Sequence, residues 1–80
     1  MDTKWIRFIE VPPARNRLTK VWRVVSKDGL AGIGEIRWYG AWRCYALFPE
    51  INTVFERTCL RDLATFCEDR TREHRAGTVR

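Results

Sequence analysis

Three short runs in the middle of the chain, Val21 to Ser26 (VWRVVS), Ile33 to Trp38 (IGEIRW) and Trp42 to Phe48 (WRCYALF), are rich in β-branched and aromatic residues. They are separated by KDGLAG and YGA, a spacing that predicts a three-stranded antiparallel meander. Register follows from asking which pairing keeps apolar side chains on one face, because a slip of one residue inverts every side chain. Trp22 opposite Ile36 meets that test, with a loop centred near Gly29, and leaves Arg23 facing Glu35. In the second hairpin, Trp38 opposite Trp42 sets Ile36 against Cys44 and Gly34 against Ala46. It implies a loop centred on Gly40, where glycine can take positive φ. The inner face then holds Trp22, Val24, Ile36, Trp38, Cys44, Ala46 and Phe48. The outer face holds Val21, Arg23, Val25, Ile33, Glu35, Arg37, Arg43, Tyr45 and Leu47.

Pro49 has no N–H for a ladder and ends the third run. From Thr58 onward the period changes: Cys59, Leu60, Leu63, Ala64, Phe66 and Cys67 recur at the spacing of one helical face. This predicts a helix to about Glu73, with Arg61, Asp62, Glu68, Asp69 and Arg72 facing out. Thr53-Val54-Phe55-Glu56 fits a capping box, and Thr58 could cap a shorter helix following a brief fourth strand; the later start is favoured. Lys4 to Val11 (KWIRFIEV) suits a first strand or an extended arm. The Pro-containing stretch at about 11–19 reads as a loop, and residues 74–80 as a tail that frays. The expected architecture is one α+β domain over residues 1–73, a three- or four-stranded antiparallel sheet packed on a single C-terminal amphipathic helix. Trp22, Trp38 and Trp42 are expected in its core. Gly34, Cys44 and Ala46 are small where that helix must approach closely. Trp5 either covers a sheet edge or stands exposed as a contact anchor.

Composition adds bounds on function. Eighty residues, 45% hydrophobic with 31% charged, support one small folded core and no more. No stretch is long and apolar enough for a membrane span, and Asp2, Lys4 and Arg7 interrupt the region where an export signal would need its apolar run. Cys44, Cys59 and Cys67 form no C-x-x-C, and the last two are about 12 Å apart on a helix, too far for a disulfide. They read as reduced residues of a cytoplasmic protein. The lone His74 lacks a helical metal-binding partner, so neither a metal nor a cofactor is expected. Gly29-Leu30-Ala31-Gly32-Ile33-Gly34 lacks the Lys-Ser/Thr of a phosphate loop and precedes a strand. With no nucleophile–base pair and no enclosed carboxylate pair, the chain reads as non-enzymatic, without a small-molecule substrate or catalytic residues.

The net charge of +5 is concentrated in residues 1–25, which carry +4. Such a balance favours nucleic acid or an acidic protein surface as partner. The outer sheet face interleaves Arg23, Arg37 and Arg43 with Tyr45, and Tyr39 and Trp42 lie near the hairpin tip. Arginine can grip phosphate or guanine edges, and flat rings can stack on unpaired bases. Arg23, Arg37, Tyr39, Arg43, Tyr45 and Trp5 are therefore the candidate residues for binding nucleic acid or a nucleic-acid-associated protein. A protein–protein inhibitor or accessory factor using the same face is the alternative. An exposed edge also suggests a homodimer through Arg43, Tyr45 and Leu47.

The order strand, strand, strand, helix is similar in layout to the plant AP2-type and integrase arm-binding domains, which present a three-stranded sheet to duplex DNA. Their motifs are not present here, so no residue carries over. Over residues 22–66 the string Trp22-x-Val24, Gly34-x-Ile36-x-Trp38-Tyr39-x-x-Trp42-Arg43-x-Tyr45, Phe48-Pro49, Thr53-x-Phe55, Cys59-Leu60-x-Asp62-Leu63-Ala64-x-Phe66 resembles small orphan proteins of phages and mobile elements. The resemblance implies an accessory protein of the bacterial cytoplasm and supplies no site.

Overall fold

The structure, a computed structural model, describes residues 3–78: β1 (Ile6–Glu10), β2 (Trp22–Ser26), β3 (Gly32–Tyr39), β4 (Cys44–Pro49) and α1 (Arg57–Thr78). The strands pair antiparallel in chain order, β1-β2-β3-β4, and α1 packs on one face, giving an α+β fold with the fourth strand supplied by the N-terminal segment. Ile6, Phe8, Trp22, Val24, Ile36 and Tyr45 from the sheet meet Cys59, Leu63 and Phe66 from the helix in a single core. Phe66 is its centre, stacked on Phe8 at 3.9 Å between ring centroids and edge-on to Trp22 at 5.2 Å.

The β2–β3 register is the one the alternation predicts, with Trp22 opposite Ile36 and Arg23 opposite Glu35. A bulge between Val24 and Val25 then sets Val25 opposite Gly32. The connecting turn is built on Asp28, whose carboxylate accepts from the Ser26 hydroxyl at 2.6 Å and the Leu30 N–H at 2.9 Å, while Gly29 takes φ 79°.

The β3–β4 register differs from the expected one by three residues. Trp38 lies opposite Tyr45, Ile36 opposite Leu47 and Gly34 opposite Pro49. An odd shift exchanges the faces, so Tyr45 and Leu47 turn inward while Ala46 and Phe48 turn outward. The cause is the turn. Tyr39 pairs with Cys44 around a four-residue loop, and Arg43, with φ 54°, takes the left-handed conformation expected of Gly40. Trp42 is thereby carried in the loop and is 71% exposed, outside the core in which it was expected. The close approach at Gly34 is also not the helix: a Cβ there would stand 2.5 Å from the Phe48 carbonyl oxygen of the neighbouring strand.

The late helix start holds, but its cap is Glu56 and not Thr58. The Glu56 carboxylate accepts from the Cys59 N–H at 2.7 Å, and its main-chain carbonyl accepts from Leu60. A carboxylate suits the positive end of the helix dipole. That hydrogen bond from Cys59 is the main reason the Glu56 carboxyl is held below its ordinary value of 4.5. Because the folded-state value is the lower one, the contribution is present above the unfolded value and disappears as pH falls through the folded one. Glu56→Ala should therefore lower the melting temperature at neutral pH, and the difference from the parent should close on acidification below 4.5. A difference that stays constant into acid would mean that the ionised carboxylate does not cap the helix.

At its other end α1 runs beyond Glu73 to Thr78, so the expected frayed tail is helical that far, and Val79 and Arg80 lie outside the described residues. His74 stabilises the extension by packing on Trp38 at 4.2 Å between ring centroids. Thr71 ties the helix to the edge of the sheet: its hydroxyl donates to the Cys67 carbonyl at 2.7 Å and accepts the Tyr45 N–H at 2.9 Å. At the opposite edge, the Thr3 hydroxyl and N–H donate to the Ile6 carbonyl, and the Ile6 N–H donates to the Thr3 hydroxyl.

Candidate functional site

Strand alternation divides the sequence-predicted residues between the two faces. Arg23, Arg37 and Tyr39 lie on the face away from α1, joined there by Arg7 and Ile9 of β1 and by Ala46 and Phe48 of β4. Tyr45 does not belong to this set. It is 5% exposed, its ring stands edge-on to Trp22 and Trp38, and its hydroxyl accepts the Lys20 N–H at 3.3 Å. Burial pushes its phenol above the ordinary value. Leu47 likewise packs against the core. Arg43 sits in the β3–β4 turn, where its carbonyl accepts from the Arg75 guanidinium at 3.2 Å, so Arg37 has Ala46 and not Arg43 as its cross-strand neighbour. Of the three residues expected to form a dimer interface, Arg43, Tyr45 and Leu47, two are therefore committed to the interior, and Thr71 occupies the edge N–H of Tyr45.

What replaces Tyr45 on the outer face is a ladder of rings ending at the hairpin tip. Arg37 lays its guanidinium over the Phe48 ring at 4.0 Å and approaches Glu35 at 3.9 Å. Tyr39 stands edge-on to Phe48 at 6.0 Å and to the exposed Trp42 at 4.8 Å. Arg23 reaches across to the space left by Gly32, 3.8 Å from where a Cβ would stand. Trp5 is half-exposed with the Lys4 ammonium 4.9 Å from its ring, and its carbonyl extends the β1–β2 ladder by accepting the Lys27 N–H at 2.9 Å.

Arg7, Ile9 and Phe48 were not singled out from the sequence. Arg7 and Ile9 alternate with Ile6 and Phe8 in KWIRFIEV, so their side was readable once that segment is granted to the sheet. Phe48 depends on the parity of β4, which the turn decides.

On the other side of the molecule an open cleft of about 550 Å³ lies between β4 and α1, lined by residues that include Cys44, Cys67, Glu68 and Thr71. Burial, with smaller contributions from Cys44 and Glu68, pushes the Cys67 thiol up to about 11, and burial also raises Cys59. At neutral pH both are thiols and poor nucleophiles. All three cysteines are free, and no group of three or more His, Cys, Asp or Glu among the described residues could hold a metal ion. No helix among the described residues is long and apolar enough to cross a membrane.

No protein-family model matches the chain, and no solved structure matches it. The chain is similar to an uncharacterised 9.3 kDa protein of Acholeplasma phage L2, 26% identical over 65 residues that make up 81% of this chain and 82% of the phage protein. The small phage-type protein suggested by the Trp, Tyr and Phe spacing of residues 22–66 thus has a counterpart in a phage protein of nearly the same size.

Proposed function

We propose that the outer face of the sheet binds nucleic acid. The observation that carries the reading is how arginines and aromatic rings are interleaved on that face. Along α1, five arginines, Arg57, Arg61, Arg70, Arg72 and Arg75, alternate with four carboxylates, Asp62, Glu68, Asp69 and Glu73, with Arg70–Glu73 at 2.7 Å and Arg72–Asp69 at 3.0 Å, and no exposed ring runs among them. On the sheet face, Arg7, Arg23 and Arg37 stand with Glu35 among the rings of Tyr39, Phe48 and Trp42. An arginine-rich face with aromatic surface suits phosphate and base together.

Fluorescence anisotropy of labelled DNA across a salt titration tests this. Affinity should fall steeply with salt, and Arg23→Ala with Arg37→Ala should flatten the log–log slope by about one unit for each phosphate no longer held. Arg57→Ala with Arg61→Ala on the helix should leave it unchanged. Binding that ignores both salt and the sheet arginines would overturn the reading. Ile9 and Trp42, 46% and 71% exposed, favour a protein partner on the same face as the second reading, which calls for a complex that survives high salt.

A further inference from the structure

The pairing registers place the three sheet arginines in an oblique line. Arg7 is opposite Val25, and Arg23 lies two residues from Val25 on the same strand. Arg23 is opposite Glu35, and Arg37 lies two residues beyond Glu35. Each arginine is thus the diagonal cross-strand neighbour of the next, with Cβ atoms about 7–8 Å apart. The line crosses β1, β2 and β3 while advancing along them. It is continued at both ends by exposed indoles: Trp5, two residues before Arg7 and 50% exposed, and at the far corner Trp42, 71% exposed and edge-on to the half-buried Tyr39. Beside the line stand Val25, Gly32 and Glu35 on one flank and Ile9 and Ala46 on the other, and the Glu35 carboxylate is 3.9 Å from Arg37.

We infer that this diagonal is a track for one strand of nucleic acid, its phosphates on Arg7, Arg23 and Arg37 and unpaired bases stacked on Trp5 and Trp42. The inference rests on the nucleic-acid reading of the face and narrows it. An indole can stack on a base only where the base face is open, as it is in a single strand and not inside a duplex. The width of the sheet argues the same way. Four strands spaced about 4.8 Å apart span more than the roughly 12 Å of a DNA major groove, so the face cannot enter it as a two-stranded ribbon does. Arg37, with its guanidinium carbon 4.0 Å from the centre of the Phe48 ring, sets a cation beside an aromatic surface on the same track.

The test compares a labelled oligothymidylate with a blunt duplex of equal length, using the full chain. The single strand should bind about tenfold or more tighter, with a log–log salt slope of about −2, set by three phosphates on a single strand. Trp42→Ala, at an exposed position where the fold is not at stake, should weaken single-strand binding by about 5- to 150-fold and duplex binding little. The triple variant Arg7→Ala, Arg23→Ala, Arg37→Ala should bring the slope close to zero. Duplex binding as tight as single-strand binding, with an arginine-dependent slope, would overturn the track and leave the nucleic-acid reading of the face standing. Single-strand binding indifferent to Trp42→Ala would also overturn the track. Absence of salt-dependent binding to either probe would overturn both.

Discussion

Replacing Phe66 with alanine is expected to destabilise the fold by about 3–5 kcal/mol, measured by urea unfolding at room temperature. The ring is 1% exposed, is stacked on Phe8, meets Trp22 edge-on and lies beneath the Arg70 guanidinium at 4.6 Å. Alanine would leave a cavity between helix and sheet that neither can close without abandoning Leu63 or Val24. A chain of this length holds only about 4–12 kcal/mol in total, so the substitution removes roughly a quarter of it or more. Phe66→Leu keeps most of the volume and should cost much less. An unchanged unfolding midpoint for the alanine variant would mean that α1 does not dock on this face.

Gly34→Ala should be the next most damaging of these changes, at about 1–3 kcal/mol. A Cβ at position 34 would meet the Phe48 carbonyl oxygen at 2.5 Å, the Pro49 Cα at 2.9 Å and the Leu47 Cδ1 at 3.2 Å. Two of those three atoms are backbone and cannot rotate aside, so β3 and β4 would have to part. Gly32→Ala is the control: its new methyl would find only the end of the Arg23 side chain at 3.8 Å, and the melting temperature should hold. Equal stability of the two variants would reopen the alternative register in which Gly34 faces Ala46.

That register marks the boundary of what the chain reveals by inspection. In β2 and β3, charged residues alternate with Trp22, Val24, Ile36 and Trp38, so only one phase buries the apolar set, and the pairing is legible. In β4, Cys44, Tyr45, Ala46, Leu47 and Phe48 carry no charge, and either phase buries an acceptable set. Parity then rests on the turn. Gly40 draws the positive-φ reading, but the conformation is taken by Arg43, where the αL penalty is offset by seating Tyr45 and Leu47 in the core. The candidate face inherits the same ambiguity: Arg23 and Arg37, on the charge-alternating strands, lie on the face that alternation predicts, while Tyr45 changes places with Phe48. The helix face was legible from its period, whereas its end was not, because Trp38, which His74 packs against, is remote in sequence.

The closures at the two sheet edges bear on a hazard that small β-rich chains face at high concentration. Propagation of a cross-β fibril requires a strand whose outward N–H and C=O groups are open over several consecutive rungs. On β4 the first outward N–H, that of Tyr45, is spent on Thr71, and the outward position at Pro49 has no N–H at all. On β1 the first rung, at Ile6, is closed by Thr3, and the strand runs out at Glu10 shortly before Pro12 and Pro13. Recruitment of a further chain is left with Leu47 alone on β4 and with Phe8 and Glu10 on β1, the latter pair ending in a carboxylate, so neither edge offers a run of more than two open rungs.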